Sequence, residues 1–150
     1  GVSDGRDQAR LCLHGGSDAA PAEARFAGLA EADVAGDMIV QARARSGGAV
    51  VECSVAGKDL ARALDVAEGL RGPDLEVRSE TGLAKVSVVG TGLRGRADVA
   101  RTLYAVLGRE RIEVRMVATS EIKISALVGG DLLEKAVRAL HGAYGLASEP

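Results

Sequence analysis

Residues 10–15 read RLCLHG and residues 85–90 read KVSVVG, and this pair of short runs decides the fold. Each is a strand-length stretch that alternates apolar and other side chains and ends in glycine. Moving outward, a polar or glycine-rich turn follows each run, then a helical stretch. A second strand comes next, at residues 37–42 (DMIVQA) and 115–120 (RMVATS). A third lies at 49–55 and 123–128, and a second helix at 58–70 and 131–144. The order β-α-β-β-α therefore occurs twice, about 75 residues apart.

The helical stretches are amphipathic by spacing. In the first half, Ala22, Phe26, Leu29 and Ala30 recur on one face, and Val99, Leu103, Val106 and Leu107 do so in the second. The later helices present Leu60, Ala63, Leu64 and Ala67, then Leu133, Ala136, Val137, Leu140 and Tyr144. One apolar stripe per helix predicts helices on one face of a sheet only. In the run from Ile122 to Val128, apolar residues alternate with Lys123 and Ser125, which gives one apolar sheet face. The expectation is an α+β fold of two tandem ferredoxin-like units (βαββαβ), each an antiparallel sheet with helices on one face. The first unit spans residues 1–80 and the second 81–150. A fourth strand for the first unit fits residues 75–79, after the turn at Gly72-Pro73. The second unit shows none after Gly145, so either the chain stops short or the units exchange a strand. The opposite sheet faces and the edges read as uncovered, which predicts pairing of units within or between chains.

Composition narrows the function. With 150 residues, two units of this size are individually small and need a shared interface. Aromatics make up 2% and net charge is −2, so stacking platforms and basic patches for nucleic acid are lacking. No apolar run suits a transmembrane helix, and the polar start at residues 1–10 does not read as a signal peptide, which leaves the cytoplasm as the default compartment. Cys12 and Cys53 read as small buried hydrophobes; a disulfide requires only that their strands be neighbours. Nothing has metal-ligand spacing, and no cofactor is expected. Residues 90–95 (GTGLRG) satisfy the dinucleotide fingerprint, but too little chain remains to build a doubly wound sheet around it. His14 and His141 lack triad partners and read as structural.

Several segments resemble the regulatory region of aspartate kinases. They are Asp7-Gln8-Ala9, residues 37–41 (DMIVQ), 85–92 (KVSVVGTG), 118–125 (ATSEIKIS) and 139–146 (ALHGAYGL). The likeness is above all to the lysine- and threonine-controlled type, whose β subunit is a stand-alone copy of that region. It implies tandem ACT domains that bind effector amino acids at the interface between ACT units of two chains. It further implies a homodimer, an aspartate kinase catalytic (α) subunit or domain as partner, and feedback control of that kinase. The chain itself carries no glycine-rich phosphate loop with a lysine, so it is not expected to be an enzyme.

The resemblance also supplies candidate effector positions. The loop before the first helix holds Ser17, Asp18, Ala19 and Ala20; its backbone N–H groups suit a carboxylate, and Ser17 or Asp18 an ammonium. Plain helix capping by Ser17 or Asp18 is the alternative. Gln41 matches the family position whose side chain contacts effector, on the segment that also holds Asp37. Thr119, Ser120 and Glu121 match positions near the second site; the alternative for the first two is a strand end before a turn. This chain departs from the family at several of these places. Ala19-Ala20 and Ala97-Asp98 stand where Pro-Gly is usual, and Ala35-Gly36 and Glu113-Val114 where Asn-Ile is usual. An Ala adds a Cβ where a carboxylate would approach. A Glu113 carboxylate would repel an effector carboxylate and attract a lysine ε-ammonium. Two readings follow: an amino-acid-sensing regulator, or a deregulated ACT pair that only dimerises and scaffolds its kinase.

Overall fold

The computed structural model describes residues 2–15, 28–29, 38–43, 49–69, 76–89, 96–120 and 122–144. Its elements are β1 (Val2–His14), β2 (Ile39–Arg43), β3 (Ala49–Ala56), α1 (Leu60–Gly69), β4 (Glu76–Val89), α2 (Arg96–Arg109), β5 (Met116–Thr119), β6 (Lys123–Gly129) and α3 (Leu133–Ala143). Gly28 and Leu29 are also helical. The chain forms two compact units. One is Gln8–Thr81; the other combines Gly1–Asp7 with Gly82–Pro150.

In the first unit the strand order is β2-β3-β1-β4. β3 pairs antiparallel with both neighbours, and Cys53 lies opposite Leu11 on one side and Ile39 on the other. Alternation then sends Leu11, Leu13, Val51, Cys53 and Val55 to one face, where Leu29 and the α1 residues Ala63 and Ala67 cover them. The small alanines let α1 approach the sheet closely. On the opposite face the charged Arg10 reaches Glu52 and Glu80, both at 3.5 Å.

In the second unit the order is β1-β4-β6-β5. Val86 and Val117 both lie opposite Ala126. Val99, Leu103, Val106 and Leu107 of α2, and Leu133, Ala136 and Leu140 of α3, close over Val86, Val88, Ile124, Ala126 and Val128. Each fully buried Leu or Val here stabilises by roughly 1.5–3 kcal/mol. Val2 packs against this same core, and Arg6 pairs with Glu134 of α3. The N-terminal residues thus supply the second unit's outer strand.

Two features differ from the linear reading. Residues 75–79 and 85–90 read as separate strands, yet Glu76–Val89 is one continuous strand. The polar stretch from Ser79 to Gly82 resembles a linker in composition but runs within the strand. β1 is likewise 13 residues long, because each of these strands serves both units. A left-handed residue breaks the pleat of each where it passes from one unit to the other: Asp7 at φ 55° and Gly82 at φ 71°. The second difference concerns the sheet face away from the helices. It reads as uncovered, but in the second unit Leu83, Ser87, Ser125 and Leu127 are buried on it. Leu83 and Leu127 make that face apolar, against the polar Lys123 and Ser125 beside them.

Each third strand flows without a loop into a single 3-10 turn, Gly57–Asp59 or Gly130–Leu132, and then into α1 or α3. Gly130 sits where a Cβ would lie 3.0 Å from the Gly82 carbonyl oxygen, so the close backbone approach requires glycine.

Candidate effector-binding edges

β2 and β5 are the edge strands of their units. The two units can be aligned by register alone. Ile39 and Val117 stand at the same place, opposite Cys53 and Ala126. Two residues further along, Gln41 lies opposite Val51 and Thr119 opposite Ile124. Gln41 and Thr119 therefore occupy the same position of the repeat. Val51 and Ile124 belong to the cores beneath the helices, and directly opposed residues share a face. Both polar candidates thus sit on the helix side of an edge strand, one step past the last apolar pair. Both are exposed.

The approach to β5 is positioned by the end of α2. Arg111 takes the left-handed conformation, φ 59°, and the Ile112 amide donates to the Leu107 carbonyl at 2.8 Å. This is a Schellman-type stop, with Ile112 buried in the core as its apolar contact. The chain leaves extended. Glu113 is 74% exposed and lies 3.6 Å from Arg115. The Arg115 amide donates to the Leu127 carbonyl, 2.8 Å. The half-buried side chain of Val114 packs against the core. Ser120 closes the β5–β6 hairpin: its amide donates to the Lys123 carbonyl at 2.7 Å and its hydroxyl to the same oxygen at 3.5 Å. Thr119 and Ser120 thus flank a turn, with the exposed Ile122 beside them. Ser17, Asp18, Ala19, Ala20, Asp37 and Glu121 lie outside the described residues, as do residues 90–95 and Ala35 and Gly36, whereas Ala97 and Asp98 fall in the first turn of α2.

The buried polar groups carry no pattern in the sequence. The Ser54 hydroxyl accepts from the Met38 amide at 3.2 Å and the Ser54 amide donates to the Met38 carbonyl at 2.9 Å, which anchors the start of β2. Ser87 and Ser125, opposite each other on β4 and β6, share a hydrogen bond of 2.6 Å between their hydroxyls. Tyr144 donates its hydroxyl to the Val99 carbonyl at 2.8 Å, and burial raises its phenol above the ordinary value.

The cysteines sit on neighbouring strands and are both free. Cys53 lies opposite Leu11, and Cys12 opposite Glu52, one register step away. That single step points the two thiols to opposite faces of the sheet, so they cannot join. Burial pushes the Cys53 thiol up to about 11. Burial, then the Glu52 carboxylate, raises Cys12 as well. Among the described residues no three His, Cys, Asp or Glu side chains group to hold a metal ion. Nor is any helix among them long and apolar enough to cross a membrane.

Comparison with known proteins places this geometry. Residues 86–144 match the ACT domain family. An aspartate kinase of Stutzerimonas stutzeri is 37% identical over 149 residues, which cover 97% of this chain and 36% of that protein. The chain thus spans about a third of the length of such relatives. The regulatory subunit of aspartate kinase from Thermus thermophilus is 31% identical, with a TM-score of 0.82 over 96% of this chain and 97% of that subunit. A chain from a structure of aspartokinase alpha and beta subunits is 29% identical, with a TM-score of 0.83 over 97% of this chain and 98% of that one. The full-length match to a regulatory subunit makes this a regulatory region, not a catalytic one. The chain belongs to the aspartate kinase family, as its regulatory ACT-domain region.

Proposed function

We infer that this region binds free amino acids at the β2 and β5 edges and passes a conformational bias to an aspartate kinase. The observation that carries the reading is the equivalence of Gln41 and Thr119: two exposed polar side chains at one position of the repeat, each beside an open strand edge. Effectors of the lysine and threonine type fit it. The carboxylate of such a ligand needs N–H donors, which the outer side of an edge strand offers. The Glu113 carboxylate, mostly exposed ahead of β5, suits an ammonium. The same edges invite pairing with a second copy, so the ligand sites lie at ACT–ACT interfaces of a homodimer. The catalytic partner is an α subunit or a kinase domain of the same polypeptide, in keeping with the alpha and beta subunits of the related aspartokinase. A cytoplasmic location follows from that partnership. Control requires only that effector bind one arrangement of the paired units more tightly than another.

A second reading is supported by Ala19-Ala20, Ala35-Gly36 and Glu113-Val114, which replace the usual ligand-facing residues. Losing two or three buried hydrogen bonds, at roughly 1–3 kcal/mol each, weakens binding about a hundredfold or more. On that account the pair only dimerises and scaffolds its kinase.

Thermal unfolding against each amino acid and diaminopimelate, and against lysine with threonine, separates the two. A ligand at 100 times its dissociation constant adds about 2.7 kcal/mol, and each kcal/mol raises Tm by about 2–4 °C in a chain of this size. A shift that Gln41→Ala or Thr119→Ala abolishes supports sensing at the edges. No shift with any ligand leaves the scaffold.

A further inference from the structure

The second unit contains a groove that none of the edge residues touches. Its volume is about 290 Å³, and it is lined by Asp4, Arg6, Leu133, Glu134, Val137 and Arg138. The two periodicities of the backbone build it. Asp4 and Arg6 are two apart on β1 and face the same way. On α3, Leu133 and Val137 are four apart, and so are Glu134 and Arg138, which makes an apolar row beside a charged one. Leu133 is buried and Val137 packs against the core, so the floor is apolar and fixed. The walls carry two guanidinium groups and two carboxylates. The Arg6 Nη2 lies 3.4 Å from the Glu134 Oε1, so the walls stand within one ion pair of each other.

We propose that this groove binds a small zwitterion with an apolar side chain, such as an α-amino acid, independently of the β2 and β5 edges. The lining carries no net charge, so an anion or a cation meets as much repulsion as attraction. A zwitterion meets neither cost. Its carboxylate takes a guanidinium, its ammonium takes a carboxylate, and its side chain lies on Leu133 and Val137. The Arg6–Glu134 pair is exposed, 62% and 81%, and such pairs contribute little to stability. Opening it costs little, and a zwitterion bound there offers a partner of opposite charge to each sign of wall group. The volume equals that of about ten waters, enough for a molecule of about eight non-hydrogen atoms.

The test is a titration of the ¹⁵N-labelled chain with L-valine, followed by amide chemical shifts. Shifts should centre on residues 4–6 and 133–138, with a dissociation constant of about 1–10 mM, as suits a solvent-shared groove. N-acetylvaline and valinamide, each lacking one charge, should bind about two- to fivefold more weakly. Arg6→Gln and Glu134→Gln should each weaken valine by a similar factor, whereas Gln41→Ala and Thr119→Ala should leave these shifts unchanged. The exchanged pair Arg6→Glu with Glu134→Arg keeps both charges and should retain binding. Absence of shifts at these residues up to about 20 mM, or equal shifts from either blocked analogue, would overturn the proposal. So would retention of full affinity in the single variants.

Discussion

The Ser87–Ser125 pair offers the sharpest test of how the second unit is held together. Both side chains are 2% exposed, their hydroxyls are 2.6 Å apart, and they face each other across β4 and β6. Removing one hydroxyl leaves the other buried beside a methyl group. The cost is therefore desolvation without a partner, about 1–3 kcal/mol for Ser87→Ala or Ser125→Ala. Removing both leaves no buried polar atom at this point, and the remaining penalty is only the small loss of packing volume. The double variant should cost clearly less than the two single variants together, with a coupling energy of about 1–2 kcal/mol. In Tm, each single variant should fall by about 2–12 °C, at 2–4 °C per kcal/mol. The assay is urea unfolding followed by circular dichroism, with all four members of the cycle compared at matched m values. If the double variant equals the sum of the singles to within about 0.5 kcal/mol, the two hydroxyls do not depend on each other and the reasoning fails.

Two further predictions use other features. A Cβ at Gly82 has open space but a φ of 71°, so Gly82→Ala should cost about 1–2 kcal/mol through the backbone alone. Gly142, on α3 and equally open, should give the reverse sign, with Gly142→Ala stabilising by about 0.5–1 kcal/mol; equal signs in thermal unfolding would refute the pair. The third concerns pH. Folded Cys53 keeps its proton up to about 11, against an ordinary value of 9. Its contribution is complete below pH 9 and is lost as pH rises through 11, by at most about 2–3 kcal/mol. Urea unfolding at pH 8 to 11 should show a steeper decline for the native chain than for Cys53→Ala, and parallel curves would sink the assignment.

Much of the fold is legible in the linear sequence because it rests on local periodicity. The stripes Val99, Leu103, Val106 and Leu107, and Leu133, Ala136 and Leu140, are the residues that close over the second unit's sheet. Leu11, Leu13 and Cys53 face α1 as alternation requires. The site is less legible. Gln41 and Thr119 came from different segments of the chain, and only register shows that they are one position. Val114 is singled out only by its match to a family position before a strand, and that its side chain packs against the core is visible only in the structure. Ser54, Ser87 and Ser125 give no signal at all, because serine in a strand is as common on an open face as in a buried pair.

By itself the sequence determined the alternation of strands and helices in the repeat and the apolar face of each described helix, because those properties depend on neighbours two, three or four residues away. It also determined the repeat and the family likeness. Only the tertiary structure decided which strands stand side by side. That choice makes residues 2–7 the outer strand of the second unit and joins residues 76–89 into one strand. It places Cys12 and Cys53 on opposite faces and brings Arg6 against Glu134. These outcomes depend on pairings between residues tens to more than a hundred positions apart. No local pattern encodes them, because a shift of one residue in register would keep every local preference and reverse every face.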